Sequence, residues 1–193
     1  MENQRIIYLE EFRKVIEELS NDTKKEFPTL YFDYAGMIPV DDDGHSRYNC
    51  SPLNTTVFAR TGGDGVHYSI LELSEKAQPI VMTVPMNFSK SINDYNIIIS
   101  ENLNEFLSIG FYNGWFPIEQ LCYDNQWAIN FYAKENSEED YQKNADIIFV
   151  KKLRNIFGIN HIPLNNDRLK ELEDKYFHYL QFNSDFMENY IKV

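Results

Sequence analysis

Histidines, cysteines and acidic runs are the residues through which this chain could do chemistry. The four histidines, at positions 45, 67, 161 and 178, stand apart from one another. No HExxH or HxH spacing and no neighbouring cysteine gives zinc a signature, and no serine or cysteine motif sets up a nucleophile relay. His67 is the one with a neighbour to weigh, because Asp64 precedes it in the same turn. A dispersed hydrolase or metal site built from His67, Asp64 and His45 is the enzymatic reading left open. The run Asp41-Asp42-Asp43-Gly44-His45 suggests calcium until it is set against a template. With Gly44 at the glycine position of an EF-hand loop, Pro39 takes the first ligand position and Cys50 the place of the closing glutamate. The template fails, and neither a metal nor a cofactor is expected.

The glycines at 62, 63 and 65 could form an anion nest, but they lack the GxGxxG spacing and the lysine of a P-loop, and a strand follows them instead of a helix. A hairpin turn suits them better, with Asp64 tolerating the left-handed backbone beside them. Cys50 and Cys122 can form at most one bridge, and with no CxxC pair they read as free thiols in a reducing compartment. No signal-peptide pattern opens the chain, and no apolar run approaches the roughly 18 residues of a membrane span, so a cytoplasmic location is expected.

Charge narrows the partners. A net charge of −12 disfavours nucleic acid and anionic membranes and would draw in a basic protein. The acidic runs Asp41-Asp42-Asp43 and Glu138-Glu139-Asp140 fit solvated loop and helix cap as well as a docking site. Aromatics supply 15% of the residues, and Tyr112, Trp115, Phe116, Tyr123 and Trp127 gather in one stretch, where most should be core and a few could face a partner.

These residues are positioned by an α+β arrangement within one domain over residues 1–193. Residues 4 to 20 carry an apolar stripe at helical spacing and end at Ser20-Asn21-Asp22. One short edge strand is expected between Phe27 and Val40. Val57-Phe58, Val66 to Leu71 and Ile80 to Val84 alternate as three strands of an antiparallel meander, within a sheet of about four to six strands with helices on one face. Ser100 or Asn102 should cap a helix that stops at Asn113-Gly114, and Leu121 to Ala133 could supply another strand. Ser137 with Asp140 resembles a capping box for a helix over 138–157. Asn165 or Asn166 should cap a further long helix, making residues 137–193 a helical extension.

The glycine turn Ala59-Arg60-Thr61-Gly62-Gly63-Asp64-Gly65, the strand from Val66 to Leu73, the Pro79-led strand to Val84 and the helix element Leu103-Asn104-Glu105-Phe106-Leu107 resemble the SUKH superfamily. That family includes yeast cell-wall-assembly regulators and many bacterial proteins. The resemblance implies helices against one antiparallel sheet, no catalytic residues, and, for bacterial members, an immunity protein that binds and neutralises a toxin, often a nuclease. An acidic, aromatic surface would steer such a basic toxin domain electrostatically. The candidate contacts are Asp41, Asp42, Asp43, Asp64, Tyr112 and Trp115. The rival reading is a regulatory or scaffold module with an endogenous partner.

Overall fold

The β-branched and aromatic alternation between residues 56 and 83 folds as a meander. The computed structural model describes residues 7–27, 34–40, 48–74, 77–87, 92–133 and 145–190. In it β2 (Thr56–Arg60), β3 (His67–Ile70) and β4 (Ile80–Thr83) pair antiparallel, flanked by the edge strands β1 (Ile38–Pro39) and β5 (Asn96–Ser100) in the order β1-β2-β3-β4-β5. Pro39 sits on an edge strand, where a missing N–H costs no central hydrogen bond. Tyr68 lies opposite Ala59 on one side and Met82 on the other, and Phe58 is the extra residue of a bulge. The 61–65 turn closes with φ of 93° at Gly62, 47° at Asp64 and 77° at Gly65, all in the left-handed region.

One face of the sheet is apolar and aromatic. Phe58, Tyr68, Ile70, Ile80, Met82 and Ile99 pack there against α1 (Leu9–Glu26), α3 (Leu103–Ile109) and α5 (Ala145–Phe157). Phe12 of α1 meets Phe58 edge-on at 5.5 Å, and Phe106 of α3 touches Phe58, Tyr68 and Trp115. Buried polar groups here are tied to carbonyls. The Tyr68 hydroxyl donates to Trp115 O (2.7 Å), the Tyr132 hydroxyl to Gly114 O (2.9 Å) and the Trp115 indole to Phe106 O (2.9 Å), so each donor escapes the cost of an unmade bond.

Helices cover the second face as well, a difference from the one-face expectation. Val81 and Ile98, whose neighbours along each strand point to the first face, pack with Leu71 against Leu172, Tyr176 and Leu180 of α6 (Asn166–Tyr176) and the turn after it. Strand alternation puts His67, Ser69, Thr83 and Asn96 on this face, all buried. Thr83 Oγ1 donates to Asn96 Oδ1 (2.8 Å) and Asn96 Nδ2 to Cys50 O (2.9 Å), a side-chain ladder across β4 and β5. Phe186 of α7 (Ser184–Tyr190) closes that end over Cys50 and over Tyr95 of the short α2 (Ile92–Tyr95).

Three boundaries also differ from the sequence reading. α1 runs through Ser20-Asn21-Asp22 to Glu26, where Leu19, Ser20 and Thr23 are buried and the Thr23 hydroxyl meets its bonding need at Leu19 O (2.7 Å). α3 ends at Gly110 rather than Gly114; a Cβ there would overlap the Trp115 ring, so glycine is required for the close approach. Leu121 to Ala133 is helical, not a strand. A 3-10 helix over Phe116–Cys122 precedes α4 (Asn125–Tyr132), whose Asp124 cap accepts from Trp127 N at 3.0 Å. The aromatics there recur every four residues, with Trp127 stacked on Phe131 and Ala128 and Tyr132 buried, which is helical spacing. Ser137 and Asp140 lie outside the described residues. Among those residues no helix is long and apolar enough to cross a membrane.

Candidate partner-binding surface

Asp64 is held at the tip of the β2–β3 turn by Val66 N bonding to Gly63 O and Thr61 N to Val66 O, both at 3.0 Å. The turn rests on the 3-10 helix after Trp115: a Cβ on Gly63 would lie 3.7 Å from the Phe116 ring. That contact brings Asp64 to Glu119 and Tyr123. Burial raises the Glu119 carboxyl above its ordinary range, and the Asp64 charge raises it further. Burial raises Tyr123 too, with Cys122, Glu119 and Asp64 adding to it. Neither carboxylate has an ion-pair or hydrogen-bond partner among the described residues.

Two large aromatics lie close in the chain to this acid pair and open to water. Tyr123 is 51% exposed and Trp127 44%, with Asp124 between them. On the inward side Cys122 donates to Asp94 O at 3.4 Å, and burial followed by Asp94 and Glu119 pushes its thiol up to about 12. Cys50 is buried, with its thiol pushed up to about 11 by burial, against a smaller lowering effect of a backbone hydrogen bond. At neutral pH neither is a thiolate nucleophile.

The expected contacts divide. Asp64 is exposed on this surface. Trp115 is not a contact: it is 1% exposed and wedged between Phe106 and the Tyr68 hydroxyl, so its size serves the core. Tyr112 is half-buried, its ring 4.9 Å from that of His161. Asp41, Asp42, Asp43 and His45 lie outside the described residues. Glu119 had no local signal, because its neighbour Asp64 is distant in the chain and only the fold joins them.

His67 faces away from Asp64. Its Nδ1 meets Gly65 O at 2.8 Å and its Nε2 meets Ser51 Oγ at 3.1 Å, while Tyr48 stacks over the ring. The Gly65 carbonyl can only accept, so Nδ1 carries the proton and Nε2 accepts from the serine. Ser51 Oγ in turn accepts Tyr48 N–H at 2.9 Å. The order hydroxyl, imidazole, acceptor is that of a hydrolase relay, but Ser51 is 3% and His67 1% exposed, so no substrate carbonyl can reach the oxygen in this structure. The pair pins the 48–51 turn to β3. Among the described residues no three His, Cys, Asp or Glu side chains converge as a metal site.

Compared with family models, with curated proteins and with solved structures, the chain matches none of them.

Proposed function

We propose that the chain is a non-enzymatic protein-binding module of SUKH type, acting in the cytoplasm as an immunity protein against a basic toxin domain. The observation that carries this reading is the surface where Asp64 and Glu119 lie together with no cation among the described residues to match them, next along the chain to exposed Tyr123 and Trp127. Like charges held together at a partly buried position are costly in the free protein, and an approaching lysine or arginine relieves that cost. Tyrosine and tryptophan supply the desolvated contact area on which affinity rests. Bound there, the module would cover the positive surface a nuclease uses for phosphates. The glycine turn, the strands and the Asn102-capped helix that carry the SUKH resemblance support the family assignment.

Co-purification with the products of adjacent genes, at low and then moderate salt, tests the proposal. The expected result is capture of one basic toxin domain, weakened by salt, with loss of its toxicity, and abolished by Asp64→Lys with Glu119→Lys. Capture that ignores both salt and these charge reversals would overturn it. Capture of a housekeeping protein alone would move the chain to the regulatory reading.

A further inference from the structure

Three buried side-chain polar atoms lack a hydrogen-bond partner among the described residues: Arg13 Nε, Ser20 Oγ and Ser69 Oγ. Such atoms are rare in folded proteins and each calls for a reason, a bound ion or water being one. Two of the three belong to residues that line one cleft. It encloses about 240 Å³ between α1 and β1, with Arg13, Glu17, Ser20, Asn21 and Lys24 on the helix side and Pro39 and Val40 across from them. Residues 13, 17, 20 and 24 follow at intervals of four, three and four, so they form one stripe along the helix.

Ser20 is 3% exposed, and its side chain is one carbon and one hydroxyl, so lining the cleft turns the hydroxyl toward it. Three residues on, Thr23 gives its hydroxyl to Leu19 O at 2.7 Å. Ser20 leaves the equivalent carbonyl of Ile16 unused. Arg13 is anchored at its far end, where Nη2 donates to Val57 O at 2.8 Å, which holds the planar guanidinium at the cleft with Nε still to donate. Asn21 and Lys24 are exposed at the mouth. Arg13 Nε and Ser20 Oγ lie below the surface that water reaches, so a ligand comes to them as the exposed side chain of Glu17, one turn on from Arg13, swings aside.

We propose that this cleft binds a phosphate group, the free ion or the end of a small monoester, received by Arg13 Nε, the Ser20 hydroxyl, the Asn21 amide and Lys24. A phosphate turns oxygens in four directions, which suits donors arriving from three turns of one helix, whereas a carboxylate's two coplanar oxygens would be met by the guanidinium alone. The volume falls below the roughly 300–1,000 Å³ of clefts for larger ligands, so only a small group enters. The chain's −12 opposes anions at long range, which again favours a small one seated directly against two cations. Glu17 is the like charge on the stripe, and it holds the affinity down. The site shares no residue with the acidic surface and stands whether or not a basic protein binds there.

Calorimetric titration of the full chain with inorganic phosphate, phenyl phosphate and acetate tests the proposal. The expected result is one phosphate bound per chain, with acetate weaker by about tenfold or more. Ser20→Ala should weaken phosphate binding about tenfold while leaving the chain without phosphate as stable as before, because the hydroxyl it removes had no partner. Arg13→Gln also loses the contact to Val57 O, so Arg13→Lys, which keeps the charge and drops Nε, and the exposed Lys24→Gln are measured beside it; each should weaken binding. Glu17→Gln should tighten it. Tighter binding of phenyl phosphate than of inorganic phosphate would support an ester end group as the ligand, and the reverse the free ion. Absence of phosphate binding would overturn the proposal, and a loss of stability in Ser20→Ala alongside it would give the hydroxyl to a bound water. Acetate binding as tightly as phosphate, or phosphate binding unmoved by both Ser20→Ala and Arg13→Lys, would overturn it as well.

Discussion

Glu101 and Glu119 are both partly buried carboxylates, and they sit in opposite company. Glu101 accepts from Lys175 Nζ at 2.6 Å, from Arg168 at 3.3 Å and from the Tyr176 hydroxyl. Burial would raise its carboxyl, but those three hydrogen bonds outweigh burial and hold it below its ordinary range. Next to it, Glu105 takes Arg168 in a two-pronged pair at 2.7 and 3.0 Å and also accepts Glu101 N at the start of α3. Arg168 reaches Glu171 as well, and its guanidinium is raised by Glu105 first. At Glu119 burial and Asp64 act in the same direction, with no cation among the described residues opposing them. Matched charges in the first region fasten α6 to the β5–α3 junction. Unmatched charges in the second leave something for a partner to supply. One residue type therefore serves architecture in one place and, on the proposed reading, recognition in the other, and the presence of a neighbouring cation decides which.

The two tryptophans give the largest contrast between core and surface. Trp115→Ala removes a fully buried ring and the indole's hydrogen bond to Phe106 O, so a loss of about 4 kcal/mol is expected in urea unfolding. Trp127→Ala should cost about 1 kcal/mol or less, the worth of its stack on Phe131, yet weaken partner capture. Equal losses of stability would put the two rings in one environment and dissolve the contrast. The clasp comes next. Arg168→Ala leaves Glu105 facing Glu101 without their shared cation and should cost about 2 kcal/mol, with amides of α6 exchanging faster while those of β2 to β4 hold. Tyr176→Phe should cost about 1 kcal/mol in the same assay. Uniform loosening of the whole sheet in either variant would mean that α6 is no separate fastening.

Local order was legible where one residue pattern had one solution. The three glycines around Asp64 could close only a hairpin, and Asn102 capped α3 as its side chain allows, accepting Glu105 N at 2.9 Å. The Leu121–Ala133 segment has the β-branched and aromatic content of a strand, but its aromatics recur at a period of four, which is helical. Trp115 failed for a different reason: exposure of an aromatic is a tertiary property, fixed here by Gly110 yielding space for the ring. The helices on the second face were hidden because β3 and β4 carry polar residues there. His67, Ser69, Thr83 and Asn96 are polar, yet the bonds His67 makes to Ser51 and those joining Thr83, Asn96 and Cys50 O allow that face to be buried. The pairing of Asp64 with Glu119 was out of reach for any local pattern.

The smallest expected effect bears most directly on the comparison. A carboxylate lowered in the folded state, as Glu101 is, contributes stability above its unfolded value, about pH 4.3, and loses it as pH falls through the folded value. A raised carboxylate such as Glu119 runs the other way: its contribution is present at low pH and is lost as pH rises from about 4.3 through its folded value. Glu119→Gln keeps the shape and removes the charge, so at neutral pH it should stabilise the chain by about 0.5 kcal/mol or less, while Glu101→Gln destabilises it. Below about pH 4 the gain from Glu119→Gln should vanish, because the wild-type carboxyl is then protonated as well. Urea unfolding of both variants across this pH range, beside capture of the basic partner, reads stability and recognition together. Higher stability with weaker capture from one substitution is the signature of a charge kept for a partner. A Glu119→Gln chain that is less stable at neutral pH would place Glu119 with Glu101 among the structural carboxylates.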